Sequence, residues 1–345
     1  MMPLTTAGRA RVYLQAALAL PLLGSLALAQ SVVATIPATD GTQGNPMSIA
    51  INPLTNRVYI AGSNVEVVDE KTSEILETID VGSGQLQGIA VDPVLRRAYV
   101  LDYAQGVFAI DLNTNTIAGN YLYSNGNGIA VNPATHRVYV QAPDSSNGNA
   151  AMLVFDGGTL NLIATIDDPE PTYTPFGDPQ AAVFVNPATN MVYTVVNRYP
   201  GALWVVDGTA NASVTTIKGL APLAYGGDVD SSRNLVFVAG WFGDISKVNG
   251  ATNTLISTTS GLNGQPNGVS VDPANQKVYV ANQQYNEVQV VDEKTNAITP
   301  STIPVGNAPA NTAIDYGNER LYVGNTSENS NTPPPPPSVS VIKLR

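Results

Sequence analysis

The stretch Gly128-Ile-Ala-Val-Asn-Pro-Ala-Thr-His-Arg-Val-Tyr-Val140 decides how this chain folds, because the same phrase returns along the whole sequence. Each copy places an Asn or Asp after an apolar run, and an aromatic residue follows seven positions later. The seven anchors are Asn52, Asp92, Asn132, Asn186, Asp230, Asp272 and Asp315, and their aromatic partners are Tyr59, Tyr99, Tyr139, Tyr193, Phe237, Tyr279 and Tyr322. Self-similarity at intervals of 40 to 54 residues indicates seven structural repeats.

Each repeat has the pattern of four short strands. An apolar strand leads into a tight Asn/Asp-Pro turn, and a second strand rich in Val and Tyr follows. A third strand ends in Asp, as in Val65–Asp69, and a fourth follows a turn, as in Ile75–Ile79. Four antiparallel strands in 40 to 45 residues are typical of a propeller blade. The sequence therefore predicts an all-β fold, a seven-bladed β-propeller of four-stranded antiparallel blades.

The two ends of the repeat region predict how the ring closes. The last repeat ends at Ser338–Leu344, which is its third strand, and no fourth strand follows. The missing strand is found near the start of the chain, where Ser31–Pro37 resembles the fourth strand Asn161–Ile166. We therefore expect the N-terminal strand to complete the last blade, which would remove an open sheet edge.

Residues 1–29 are predicted to be a secretory signal peptide, followed by the propeller at 30–345. Arg9 and Arg11 precede an apolar run, and Ala27-Leu28-Ala29 forms a small-x-small cleavage pattern. An uncleaved membrane anchor is the alternative. We expect a secreted or periplasmic protein, or one associated with the cell surface, with no membrane span after cleavage.

The composition excludes several classes of function. The chain has no cysteine, which excludes disulfides, thiolate metal sites and a cysteine nucleophile. It has 16 Lys and Arg against 27 Asp and Glu, a net charge of −11, which argues against a nucleic-acid partner.

The repeats resemble those of the YVTN family of β-propellers, which is named for a Tyr-Val-x-Asn strand. The nearest match is Tyr279-Val280-Ala281-Asn282, and the resemblance extends over residues 31 to 345. It implies a secreted or surface-attached binding module, although the wider seven-bladed group includes periplasmic subunits and some enzymes. The fifth and seventh repeats depart from the pattern, since Ser231 and Tyr316 replace the turn proline.

The lone histidine does not indicate a catalytic site. His136 falls in the first turn of its repeat, where the other copies carry various polar residues, so we interpret it as a solvated turn residue. Without a second histidine, a Ser-His-Asp triad and a histidine zinc site are excluded. The repeated Asp at the end of the third strands is interpreted as a turn cap, and the repeated Tyr as core packing within each blade.

One carboxylate stands where small residues are expected. Two positions before the anchor, most repeats have Ala, but the fourth and fifth have Phe184 and Asp228. If these positions face the central channel, Phe184 could plug it. Asp228 could then bind Ca²⁺ together with the amides at the channel mouth, which are Asn127, Asn267 and Gln87. Propeller lactonases use a similar site. A hydrated Asp without metal is the preferred interpretation, so no cofactor is required.

Aromatic residues are concentrated in the loops of the fourth to sixth repeats. They are Tyr173, Phe176, Tyr199, Trp241, Phe242 and Tyr285. On one face they would form a recognition surface, unless the rings pack within their own loops. The preferred function is a monomeric, non-catalytic binding module whose partner is a protein or a cell-surface glycan. The alternatives are a metal-dependent hydrolase, lactonase or lyase centred on the channel, and a surface-layer or accessory subunit.

Overall fold

The computed structural model describes residues 30–38, 48–123, 125–143, 150–169, 182–326 and 335–344. The predicted signal peptide, 1–29, lies outside the described residues. No helix among the described residues is long and apolar enough to cross a membrane.

The described residues form 28 strands, numbered in chain order. They are β1 (Ser31–Pro37), β2 (Ser48–Asn52), β3 (Arg57–Ala61), β4 (Val65–Asp69), β5 (Ile75–Ile79), β6 (Leu86–Asp92), β7 (Arg97–Asp102), β8 (Gly106–Asp111), β9 (Thr116–Tyr121), β10 (Gly128–Asn132), β11 (Arg137–Pro143), β12 (Ala150–Asp156), β13 (Leu162–Asp167), β14 (Val183–Asn186), β15 (Met191–Val196), β16 (Gly201–Asp207), β17 (Ala212–Leu220), β18 (Ala224–Asp230), β19 (Leu235–Gly240), β20 (Asp244–Asn249), β21 (Thr254–Ser260), β22 (Pro266–Asp272), β23 (Lys277–Asn282), β24 (Glu287–Asp292), β25 (Ala297–Pro304), β26 (Pro309–Asp315), β27 (Arg320–Asn325) and β28 (Ser338–Lys343).

In the part of the chain that is described, these strands form seven four-stranded antiparallel sheets. Blades 1 to 6 are β2–β5, β6–β9, β10–β13, β14–β17, β18–β21 and β22–β25, and blade 7 contains β26–β28 and β1. The first strands of neighbouring blades contact each other around a closed ring, so they are the innermost strands. The predicted seven-bladed propeller is confirmed.

Antiparallel connections divide the surface into two faces. The turns from first to second and from third to fourth strands lie on one face, which we call the turn face. The connections entering each first strand, and those from second to third strands, lie on the opposite face, which we call the loop face.

The N-terminal strand closes the ring as predicted. In blade 7 the strand order is β1-β28-β27-β26, and β1 pairs with β28 from Ser31 opposite Lys343 to Pro37 opposite Ser338. The Ile36 side chain of β1 is fully buried. Just before this strand, Gln30 Nε2 donates to Tyr279 Oη at 2.8 Å, which fastens the seam to blade 6.

The hydrophobic core lies between blades rather than within them. Each of seven buried clusters combines residues from two neighbouring blades, as where Tyr99 of blade 2 packs with Val138 and Val140 of blade 3. The repeated aromatic residues are buried in these interfaces, so the expectation that they pack within their own blades is wrong. Tyr99 Oη donates to the Gly157 carbonyl oxygen of blade 3 at 2.8 Å, and a Cβ at Gly157 would lie only 2.6 Å from that hydroxyl.

The turn after each anchor explains the repeated phrase. The anchor side chain accepts backbone N–H bonds from residues two or three positions on, as Asp92 Oδ1 does from Val94 and Leu95 at 3.0 Å. The residue four positions after each anchor has a left-handed backbone, with φ between 51° and 57°. These residues are Asn56, Arg96, His136, Asn190, Asn234, Gln276 and Glu319. Asn tolerates this conformation better than most residues, which accounts for its recurrence there.

Candidate functional site

The channel opens on the loop face as a cavity of about 180 Å³ that is lined by the beginnings of all seven first strands. The side chains and backbone that line it are those of Ser48, Gln87, Gly88, Asn127, Gly128, Ile129, Ala182, Val183, Tyr225, Gly226, Gly227, Asn267, Gly268, Val269, Asn311 and Thr312. Among the described residues of this lining none is charged, and amides are the main polar groups. We call this space the channel-mouth cavity.

Three of the four residues predicted to bind Ca²⁺ meet at the channel-mouth cavity, and the fourth does not. Gln87, Asn127 and Asn267 line it, whereas Asp228 lies further along its strand. Asp228 Oδ2 accepts from the Val271 N–H of blade 6 at 2.8 Å, and Oδ1 accepts from the Val229 N–H at 2.8 Å. Burial raises the pKa of Asp228 to about 6, against the opposing effect of these two hydrogen bonds. Among the described residues, no three or more His, Cys, Asp or Glu are grouped so that they could hold a metal ion.

The position two residues before the anchor does not simply face the channel. Phe184 is buried between blades 4 and 5, where its ring stacks on Tyr193 at a centroid distance of 5.5 Å. Asp228, at the same repeat position, reaches the inner edge of β22 in the next blade. The idea that Phe184 plugs the channel is therefore wrong.

Tyr316 of blade 7 contacts the same inner edge of β22 that Asp228 contacts from blade 5. It replaces the turn proline in blade 7, and its hydroxyl donates to the Val271 carbonyl oxygen at 3.0 Å. Val271 thus gives its N–H to Asp228 and receives a hydrogen bond from Tyr316. In addition, Ser270 Oγ donates to Thr312 Oγ1 at 2.8 Å. These contacts join blades 5, 6 and 7 at the side of the ring that departs most from the repeat.

An aromatic pair stands beside the channel-mouth cavity. Tyr225 lines the cavity, and its ring packs on Trp241 at a centroid distance of 5.0 Å and an angle of 38°. The backbone holds this pair in place, since Trp241 N donates to the Leu223 carbonyl oxygen at 3.0 Å and Leu223 N donates to the Arg198 carbonyl oxygen at 3.0 Å. The loops of blades 4 and 5 are therefore connected at the position of Trp241.

Three of the predicted recognition residues are exposed on the loop face. Tyr199 of blade 4 is 75% exposed, Phe242 of blade 5 is 62% exposed and Tyr285 of blade 6 is 58% exposed. Each lies in the connection between the second and third strands of its blade. We call these three residues the aromatic rim. Tyr173 and Phe176, also predicted here, lie outside the described residues.

The turn face carries contacts between blades that the repeat pattern did not reveal. His136 Nδ1 lies 2.7 Å from Oδ2 of the buried anchor Asp92, so this histidine joins blades 2 and 3 rather than being only solvated. Equivalent contacts join Asn132 to Asn190 at 2.6 Å and Asn186 to Asn234 at 2.8 Å. The sequence contained a sign of these contacts between blades, because the left-handed turn position carries Asn in several copies.

Two further interfaces use paired carboxyl groups. At the junction of blades 7 and 1, Asn318 Nδ2 donates to Glu70 Oε2 at 2.8 Å and to Asp315 Oδ2 at 2.9 Å. Burial, and then the Asp315 carboxyl, raise the pKa of Glu70 to about 7. Burial acts to raise the pKa of Asp315 as well, but hydrogen bonds from Glu70 and Asn318 lower it overall. The two shifts are opposite in direction, so Glu70 is the carboxyl group of the pair that binds a proton more readily.

The second pair joins blades 5 and 6 and has cations beside it. Burial, and then Asp230, raise the pKa of Glu293 to about 7. Although burial opposes it, hydrogen bonds from Ser232, Arg233 and Glu293 lower the pKa of Asp230 to about 2. Arg233 Nη1 lies 2.7 Å from Asp230 Oδ2 and 3.7 Å from Glu293 Oε1.

Comparisons with known proteins show the fold alone. No protein-family model and no curated protein sequence matches the chain. Among solved structures, it is similar to hydrazine synthase from Kuenenia stuttgartiensis, with 15% identity and a TM-score of 0.72 over 88% of this chain and 97% of that one. It is also similar to U3-55K, with 12% identity and a TM-score of 0.74 over 91% of this chain and 100% of that one. The WD40 repeats of RRP9 match with 12% identity and a TM-score of 0.75 over 92% of this chain and 99% of that one, so the chain has the same seven-bladed architecture as known propellers.

Proposed function

We propose that this protein is a non-catalytic binding module that recognises its partner through the loop face, around the aromatic rim. The observation that carries the proposal is the exposure of Tyr199, Phe242 and Tyr285 on the same face of three consecutive blades. Exposed aromatic side chains are costly to leave in water and are enriched at recognition surfaces. The turn face, in contrast, uses its polar side chains to join blades.

The rigid ring supports this proposal. Each exposed ring lies on a short connection between two strands. The strands that flank Tyr199, β15 and β16, are almost entirely buried, so little backbone conformational entropy is lost there when a partner binds. The likeness to WD40 propellers agrees with an interaction module. The partner is a protein or a glycan at the cell surface, and the resemblance to YVTN repeats supports a secreted or periplasmic location. The Ca²⁺ site predicted around Asp228 stays a prediction.

Site-specific photo-crosslinking in cells that express the protein tests the proposal. Benzoylphenylalanine is placed at Tyr199 or Phe242, and at Leu54 as a control, because Leu54 is an equally exposed apolar residue on the turn face. We expect a discrete crosslinked product from the two loop-face positions and none from Leu54. Equal crosslinking from both faces, or none from the loop face, would contradict the proposal.

A further inference from the structure

The channel-mouth cavity contains hydrogen-bonding groups that the protein itself does not use. The side chains of Gln87, Asn127 and Asn267 make no hydrogen bond to any described residue, and the Oδ1 atom of Asn127 is fully buried without a partner. Buried polar atoms in proteins are nearly always hydrogen-bonded, so such an exception calls for an explanation. These three amides line one space and offer donors and acceptors together, which suits a ligand that has both.

The lining also limits the charge and size of that ligand. None of the described residues that line the channel-mouth cavity is charged, so among them an ionic ligand would find no counter-charge. The cavity volume is about 180 Å³. This space accommodates one small ring but not an extended chain.

Tyr225 adds an apolar wall to this polar lining. Tyr225 lines the channel-mouth cavity, and its ring packs on that of Trp241. A ligand with one apolar face and several groups that both donate and accept hydrogen bonds would satisfy the ring and the amides at once. A sugar ring has these properties, because its C–H groups form a face that packs on aromatic rings while its hydroxyl groups point outwards.

We propose that the channel-mouth cavity binds a single neutral pyranose, presented as the terminal residue of a glycan. The proposal rests on the proposed function, because it names the ligand class that the loop face recognises. Asn127 and Asn267 hydrogen-bond the hydroxyl groups, and Tyr225 packs on the ring. The rest of the glycan would leave over the loop face.

Titration with neutral monosaccharides tests this site through the fluorescence of Trp241. The probes are glucose, galactose, mannose and N-acetylglucosamine, with glucuronate and glucosamine as charged counterparts. The other tryptophan, Trp204, is fully buried between blades 3 and 4 and should not respond. We expect at least one neutral sugar to give a saturable change with a Kd in the millimolar range, and the charged sugars to bind at least tenfold more weakly.

Matched variants connect the binding to the cavity. The double variant N127A/N267A should bind the sugar at least tenfold more weakly, whereas Gln284→Ala should bind as the wild type does, because Gln284 is exposed on the same face outside the lining. The melting temperature of N127A/N267A should equal or exceed that of the wild type, since the removed amides bond to no described residue. A merely structural role would lower it.

Three results would overturn the inference: no neutral sugar changes the fluorescence, charged sugars bind as well as neutral ones, or N127A/N267A binds as the wild type does. These results are distinguishable from failure of the proposed function. If loop-face crosslinks form while no sugar binds, the sugar site alone is wrong. If a sugar binds but Tyr199 and Phe242 form no crosslink, recognition by the aromatic rim is wrong and the sugar site stands.

Discussion

Lys247 lies at the interface between blades 5 and 6, in the place of the tyrosine hydroxyl that Tyr99 donates between blades 2 and 3. It lies directly opposite Phe237 in blade 5, at a position that is Val or Ala in the other six blades. Phe237 lacks the hydroxyl group that Tyr99 donates to the next blade. Lys247 Nζ instead donates to the carbonyl oxygens of Glu293 at 2.7 Å and Lys294 at 3.1 Å. The two substitutions compensate each other, and both were visible in the aligned repeats.

Lys247→Met should lower the free energy of unfolding by about 2–4 kcal/mol, because two buried charge-assisted hydrogen bonds and the charge beside Glu293 are lost. Lys277→Met is the matched control, since Lys277 forms a partly exposed pair with Asp292 at 3.2 Å. It should cost less than about 1 kcal/mol. Urea unfolding of both variants provides the comparison. Equal losses would show that Lys247 contributes no more than a surface ion pair.

Among the secondary-structure elements, the bounds of the strands were easier to predict from the sequence than the contacts that their side chains make. β1, β4 and β5 begin and end where the sequence placed them, because alternation and turn residues are local signals. The contacts of Asp228 and Phe184 were not predictable in this way. Their direction depends on how neighbouring blades are rotated against each other, which no single repeat encodes. Gln87, Asn127 and Asn267, each five residues before its anchor, line the channel-mouth cavity as expected, whereas Asp228, two residues before its anchor, does not.

The strand β1 gives a prediction at this scale. Protein lacking residues 1–37 should melt at a lower temperature than protein lacking only residues 1–29 and should associate with itself, because β28 loses its partner and its edge becomes open. Loss of Ile36 alone removes about 1.5–3 kcal/mol of apolar burial. A peptide of residues 30–37 should restore the melting temperature, and the same peptide with Ile36→Asp should not. Restoration by both peptides would contradict the proposed role of Ile36. Calorimetry and gel filtration measure the two effects.

For the molecule as a whole, the carboxyl groups predict greatest stability in mild acid. The pKa of Asp228 is raised to about 6, and those of Glu70 and Glu293 to about 7. Between their ordinary values and these values the folded protein binds more protons than the unfolded chain, so stability falls as pH rises from about 4 to 7. The lowered pKa values of Asp230 and Asp292, about 2, act only below about pH 4, where stability falls with further acidification.

The melting temperature should therefore be highest near pH 4 to 5 and a few degrees lower at pH 8, on the order expected for shifts of this size. The double variant Glu70→Gln with Glu293→Gln should flatten this decline, whereas Glu74→Gln, an exposed glutamate, should leave it unchanged. A wild-type melting temperature that rises from pH 5 to pH 8 would contradict the paired-carboxyl interpretation.

The seam in blade 7 has a consequence for biosynthesis. Gln30 and Leu344, which are hydrogen-bonded across the seam, are 314 residues apart in sequence. At a synthesis rate of about 5–20 residues per second, β1 leaves the ribosome roughly 15–60 seconds before its partner strand. During that interval the ring cannot be complete, whatever the progress of blades 1 to 6. A chain built in this way therefore stays open until its last strand is made.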